Sequence, residues 1–147
     1  MNIDEVSEQD IEVIKGLARR AIIESVDATG SIKDEIVTDT MLHIEKNISG
    51  SESVFLKCTD GNVLGFILIQ EYWNLSDLFV IPEAHGRGIG KLLFNAAMSA
   101  CFSKQDKRYI RVNSSLNAEG FYRRLGFESF TPEKDAPSFV VPLIYNF

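Results

Sequence analysis

The sequence predicts a single α/β domain spanning residues 1–147, with a mixed, largely antiparallel twisted sheet of about seven strands and four flanking helices. Three observations carry that expectation. Strand-like and helix-like stretches follow one another in mixed order along the chain. An Asp60-Gly61 pair between two strand-like runs signals a hairpin. Residues Leu78 to Phe94, LFVIPEAHGRGIGKLLF, pass from an apolar strand through a glycine-studded turn directly into a helical stripe, the start of a right-handed parallel crossover. With 147 residues, 45% hydrophobic content and ten Phe, the chain can bury one core without disulfides or metals.

Taken in order, Asn2 to Val6 reads as a short strand, and Ser7 with Asp10 three residues later caps a first helix. Ile11, Ile14, Leu17, Ala18, Ala21 and Ile22 recur there at helical spacing. A break at Asp27 to Gly30 precedes a second helix carrying Ile32, Ile36, Met41, Ile44 and Ile48, and Ser49 to Ser53 reads as a polar linker. Ser53 to Thr59 and Asn62 to Tyr72 are the two hairpin strands, and Leu75 to Ile81 is the next strand, ended by Pro82. Ile89, Leu92, Leu93, Ala96, Ala97 and Ala100 form the apolar stripe of the third helix. Tyr109 to Asn113 returns as a strand. Ser114 to Phe127, SSLNAEGFYRRLGF, holds a short fourth helix with Asn117 as candidate N-cap, Gly126 as its stop, and Phe121 and Leu125 on its buried face. Phe127 to Phe130 and Ser138 to Phe147 are the last strands, and Pro142 belongs at an edge or a bulge.

The glycine-studded turn is built to hold an anion. Gly86, Gly88 and Gly90 carry no β-carbon, so the turn can take positive φ and bring backbone N–H groups against a ligand. Those amides open a helix, whose first turn leaves its donors without partners and carries a partial positive charge. Phosphate suits such a site. Arg87 and Lys91 add full charges beside it in an otherwise acidic chain. The spacing does not fit a Walker loop, because His85 stands five before Gly90 and Lys91 is followed by Leu92 rather than Ser or Thr. Nor does it fit a dinucleotide fingerprint, since the third glycine follows the second by two residues and the next strand ends in Val112, Asn113 and Ser114 without a ribose-binding acid. A plain glycine turn before a core helix is the alternative for the loop taken alone.

Together, the loop His85, Gly86, Arg87, Gly88, Ile89, Gly90 and the later FYRRLGF segment resemble the GNAT superfamily of acetyl-CoA-dependent N-acetyltransferases. That family pairs an Arg/Gln-x-x-Gly-x-Gly/Ala loop after a strand with a Tyr-bearing helix followed by Gly-Phe. The resemblance implies that the strands at Leu78 and Tyr109 splay apart to admit pantetheine. It implies acetyl-CoA as acyl donor, held by Leu78, Phe79, Val80, His85, Gly86, Arg87, Gly88, Ile89, Gly90 and Lys91, with Ser115 and Asn117 nearby. Backbone N–H groups near Phe79 and Val80 would steady the acetyl oxygen. Tyr122 falls where the family places the general acid for the departing thiolate; a phenol with pKa near 10 is protonated at neutral pH and can donate. For Tyr122 the alternative is an aromatic core anchor.

Departures from the family pattern have consequences. His85 stands where Arg or Gln is usual, so it is a cofactor contact or a loop support. An Asn expected at position 115 is replaced by Ser115, with Asn117 two residues on; one subgroup has this Ser-Leu-Asn-Ala form, and Asn117 is otherwise a helix cap. Glu71 and Asp77 are candidates for the base that takes the amine's proton through water, each alternatively a solvated strand residue. Arg111 stands where several relatives that acetylate protein N-termini carry an acid, which counts against that substrate class. His43 faces either the acceptor cleft or solvent, a core or surface role being favoured. The acceptor surface is expected from the first two helices and the Thr131 to Pro137 loop.

The net charge of −6 argues against nonspecific nucleic-acid binding and leans towards a cationic small-molecule or peptide amine, with polyamines and amino sugars first. Cys58 and Cys101 have no metal-like spacing, so no metal is expected and a reduced, cytoplasmic setting fits. No signal-like or membrane-span pattern occurs in the sequence. A monomer or homodimer is expected. Two other classes remain: a noncatalytic acyl-CoA-binding sensor on the same fold, and a nucleotide-dependent protein using the loop for a different phosphate.

Overall fold

The computed structural model describes residues 1–48 and 52–147, in which strands and helices follow one another in mixed order. Residues 49–51, the middle of the expected polar linker, lie outside the described residues. The elements are β1 (Asn2–Glu5), α1 (Ile11–Ser25), α2 (Gly30–Lys46), β2 (Ser53–Asp60), β3 (Asn62–Gln70), β4 (Asn74–Val80), α3 (Ile89–Phe102), β5 (Tyr109–Ser115), α4 (Glu119–Leu125), β6 (Glu128–Ser129) and β7 (Val140–Asn146). They form one seven-stranded sheet in the order β1-β2-β3-β4-β5-β7-β6. Every pairing is antiparallel except β4 with β5.

Both faces of the sheet are covered, which explains why β3 is buried continuously from Leu64 to Ile69. On one face, Ile14, Leu17 and Ala18 of α1 and Ile44 of α2 pack on Phe55, Phe66 and Leu68. On the other, Ile89, Leu93 and Ala97 of α3 pack on Ile67, Ile69 and Ile110. The α1 stripe is the expected one. Ser7 and Asp10 cap a single 3-10 turn ahead of α1, the Ser7 N–H donating to the Asp10 carboxylate at 2.9 Å.

Three local expectations are corrected. The α3 stripe is rotated: Phe94 and Cys101 are buried whereas Leu92 is 45% exposed. Phe94 sets that rotation by packing its ring 5.5 Å from Phe127 and 5.8 Å from Tyr145. Asn117 is not the cap of α4; it lies in a 3-10 turn, Leu116–Ala118, and its side chain reaches back 2.7 Å to the Ser25 carbonyl and 3.2 Å to the Asp27 N–H. Pro142 is in neither an edge strand nor a bulge, since β7 runs between β5 and β6. Its carbonyl accepts from the Phe130 N–H at 3.3 Å, but proline offers no N–H in return, and β6 ends at Ser129. The expected Gly126 stop holds at φ +110°.

Gly65 fixes how closely β3 and β4 approach, because a β-carbon there would lie 2.8 Å from the Phe79 carbonyl oxygen. Gly65→Ala should therefore destabilise the protein by about 1–3 kcal/mol through overpacking. Urea denaturation measures this, and an unchanged midpoint would show that β4 can yield without cost.

Candidate active site

The site begins with a one-residue irregularity. Leu68 pairs with Asp77 but Ile69 pairs with Leu75, so Ser76 is an extra residue in β4. Such a bulge bends its strand and increases local twist. The parallel pairing of β4 with β5 covers only Asn74 with Arg111 and Leu75 with Val112, and beyond the bulge the strands separate. The Ile81 N–H donates to the Leu64 carbonyl at 2.9 Å. Ladder alternation then directs the amide groups of Asp77 and Phe79 to β3 and those of Leu78 and Val80 to the open side. The splayed pair is present, but the open backbone donors belong to Leu78 and Val80; that of Phe79 is turned away.

The loop after β4 has the expected strain-free use of glycine. Gly86 and Gly88 take φ of +82° and +77°, and α3 starts at Ile89 with Gly88 as its N-cap. The first helical hydrogen bond runs from the Leu92 N–H to the Gly88 carbonyl at 3.0 Å, so the amides from Ile89 to Lys91 have no carbonyl within the helix to reach. Gly90 serves a different purpose from its neighbours: it is helical, and a β-carbon there would meet the Phe121 ring at 3.0 Å. That contact sets α3 directly against the Tyr122 helix. Arg20 of α1 grips Glu83 with two hydrogen bonds, of 2.9 and 2.6 Å, just ahead of the loop. Arg87 pairs with Asp60 at 3.2 Å, and Lys91 is exposed. The His85 Nε2–H donates to the Val80 carbonyl at 2.9 Å, so this side chain braces the loop against the strand.

Between the open part of β4, α2 and α4 lies a cavity of about 430 Å³. Its walls include Leu78, Phe79, Ser115 and Tyr122 of the expected residues, together with His43 and Asp77. Tyr122 is 5% exposed and lines the cavity, and among the described residues no hydrogen bond is made by its hydroxyl. Burial, reinforced by the nearby Asp77 charge, pushes its pKa above that of an ordinary phenol, so the hydroxyl keeps its proton at neutral pH. Asp77 is not a solvated strand residue: it is 3% exposed, and its carboxylate accepts from the Thr40 hydroxyl at 3.0 Å, His43 Nδ1–H at 2.9 Å and the Ser76 hydroxyl at 2.8 Å. The hydrogen bond to Asp77 outweighs burial and raises the His43 pKa above 6.5.

Of the residues expected at the site, the β4 segment, Ser115 and Tyr122 therefore meet at one cavity, while the loop from Gly86 to Lys91 stands at the end of the same strand. Asn117 is engaged with the α1–α2 connection. Glu71 is exposed in the β3–β4 turn at φ +55° and is not part of the cavity wall. Arg111 lies 4.0 Å from the Phe130 ring centre and 5.6 Å from that of Trp73. His43 and Thr40 join Asp77 at the site in a way that the sequence does not announce. Their spacing from Asp77, 34 and 37 residues, has no local pattern; the only signal was polar residues interrupting an otherwise apolar helix face. The thiol of Cys101, buried in the core, is pushed up to about 12 and is inert.

A mixed sheet opened at one parallel pair, with a glycine turn leading from the open strand into a helix N-terminus, defines an acyl-CoA-type α/β transferase fold. The chain belongs to the GNAT acetyltransferases: the family model described as Acetyltransferase (GNAT) domain matches residues 23–138. The acyl donor of these enzymes is acetyl-CoA, and the unpaired amides, basic side chains and open strand edge fit that molecule. An uncharacterised N-acetyltransferase of Methanocaldococcus jannaschii is 33% identical over 84 residues, 55% of this chain and 36% of that protein, so the match spans about a third of the relative's length. A GCN5-related N-acetyltransferase structure from Rhodopseudomonas palustris superposes with a TM-score of 0.82 at 17% identity, covering 99% of this chain and 95% of the other. The PaiA N-acetyltransferase of Thermoplasma acidophilum, solved with coenzyme A, gives 0.77 at 18% identity over 99% and 98% of the two chains. No helix among the described residues is long and apolar enough to cross a membrane.

The raised His43 pKa has a thermodynamic sign. A histidine that holds its proton more tightly when folded adds stability that is complete below 6.5 and fades as pH rises through the folded value. The urea midpoint difference between wild type and His43→Gln should therefore shrink from about pH 5.5 to about pH 8.5. A difference that stays level would remove the His43–Asp77 coupling.

Proposed function

We propose that this protein transfers the acetyl group of acetyl-CoA to a primary amine by direct attack, with Tyr122 as general acid. The observation that carries this reading is the Tyr122 side chain, 5% exposed and with no hydrogen bond to its hydroxyl among the described residues, in the wall of a cavity shared with the open segment of β4. The amides from Gly86 to Lys91, with Arg87 and Lys91, hold the diphosphate at the α3 N-terminus. Leu78 and Val80 offer backbone groups along the splayed edge, and a donor there stabilises negative charge developing on the acetyl oxygen. Phe79 contributes its place in the wall, and Ser115 is given the cofactor contact because it faces the cavity while Asn117 is engaged elsewhere. His85 supports the loop. As the thioester C–S bond breaks, the Tyr122 proton passes to the sulfur, which leaves as the thiol rather than the thiolate. The acceptor class is a cationic amine, polyamines and amino sugars first, in keeping with the net charge of −6.

Acetyl-CoA should raise the melting temperature strongly and NAD or ATP weakly, because stabilisation grows with the logarithm of ligand concentration over its dissociation constant. The reverse ranking would sink the cofactor assignment. Tyr122→Phe should keep acetyl-CoA affinity yet lower kcat by about 100-fold or more. Turnover is read as CoA release with mass-spectrometric detection of acetylated amines. Unchanged turnover in the variant would remove the acid role, and binding without turnover on any amine would favour a sensor.

A further inference from the structure

An acetyl transfer from thioester to amine needs a proton acceptor as well as Tyr122, because an alkyl ammonium has no lone pair until it loses a proton. We infer that His43 is that acceptor, with Asp77 as its positioning residue; this rests on the acetyl-transfer reading above.

The geometry supplies each part. Nδ1–H of His43 donates to the Asp77 carboxylate at 2.9 Å, which fixes the tautomer and leaves Nε2 with its lone pair. Among the described residues Nε2 has no partner. His43 belongs to the cavity wall shared with Tyr122, and its side chain is 34% accessible, so a bound amine and solvent can both reach the ring. Asp77 is the poorer acceptor for this proton, since three donors already hold its oxygens and 3% of the residue is exposed, against 34% of the His43 side chain. A carboxylate sunk in a central strand is expensive to keep, and an apolar pair of similar volume would cost less. Its expense is accounted for if it orients and polarises the imidazole.

The surroundings favour a cationic guest. Glu35 and Asp39 precede His43 at intervals of four on α2, which puts all three on one helical face, and all three are in the cavity wall. The charged groups around the ring are Asp77 on β4 and Asp39 on α2, which favour its protonated form, and Lys46, which opposes it. On α1, Lys15 goes to Glu45 and Arg19 lies against the Met41 sulfur, so neither competes for Asp77. The proton balance closes. The ammonium gives one proton to Nε2, which returns it to solvent; the neutral amine forms the C–N bond while the C–S bond breaks. The second proton leaves the new amide nitrogen and recharges Tyr122 after its own proton has gone to sulfur.

The test measures kcat/KM against pH for wild type, His43→Gln and Asp77→Asn, with acetyl-CoA and a pooled set of spermidine, an amino sugar and a lysine-bearing peptide. Wild type should lose activity as pH falls through the His43 pKa. His43→Gln should fall about 100-fold or more near neutral pH. Its remaining rate should climb steadily with pH, following the free amine. In Asp77→Asn the acidic limb should move to lower pH, which a merely structural role would not produce. Hydroxylamine, already neutral at the assay pH, should be acetylated at similar rates by wild type and His43→Gln if both are folded, as judged by equal melting temperatures with acetyl-CoA. A variant that retains the wild-type acidic limb, or loses hydroxylamine and pooled amines equally, overturns the base assignment and leaves acetyl transfer standing. No turnover by wild type overturns both.

Discussion

One extra residue in one strand governs the arrangement. Ser76 interrupts the β3–β4 register, and the parallel contact of β4 with β5 stops at Leu75 and Val112. Without that bulge β4 would continue beside β5 and bury the backbone groups of Leu78 and Val80 in the ladder. The bulge also settles which face Asp77 occupies, because a shift of one position sends every later side chain to the opposite side of the sheet. Leu78 and Val80 consequently pack on the α3 face, while Asp77 and Phe79 turn towards α1 and α2. A single register change thus exposes the strand edge and aims a carboxylate at α2.

The two helical layers then have unequal tasks. The α3 layer is a tight anchor: Gly90 lets Phe121 lie against the helix start, and Phe94, Phe127 and Tyr145 form an interlocked ring cluster behind it. The loop at the head of α3 is therefore mounted on a rigid support. The α2 helix buries only Thr40 and Ile44 along its length. Glu35, Ile36, Asp39 and His43 line the cavity instead of a packed core.

That difference explains what was readable in the chain. Strand, turn and helix around residues 78–94 are legible because each signal is local: alternation stops at Pro82, glycines mark the turn, and the stripe resumes at once. The α4 helix is legible through Gly126 and the Phe121–Leu125 spacing. The Ser76 bulge leaves no local trace, so of the two expected donors Val80 faces the open edge while Phe79 turns to β3 and Leu78 takes its place. The α3 face was misjudged because alanine spacing near Ala96 and Ala100 suggested the seam, whereas the larger Phe94 ring decides it by finding Phe127 and Tyr145. Asn117 looked like a cap because the residue type favours that role, but a long-range partner on the α1–α2 connection took its amide. His43 and Asp77 are apart in sequence and on different kinds of element, and only the folded sheet brings them within 2.9 Å.

Charge is partitioned across β4 in the same sense. At the strand's end, glycine amides, the α3 dipole, Arg87 and Lys91 make a positive corner in a chain whose net charge is −6. Across the cavity, the α2 face carries Glu35 and Asp39 ahead of His43. An anionic diphosphate and a cationic amine would each meet an attractive field at a different end, and each would be repelled from the other's place. Such sorting restricts orientation without requiring any contact at the reacting carbon. Tyr122 lies in the wall of the same cavity, and its burial, reinforced by the Asp77 charge, keeps the phenol protonated there.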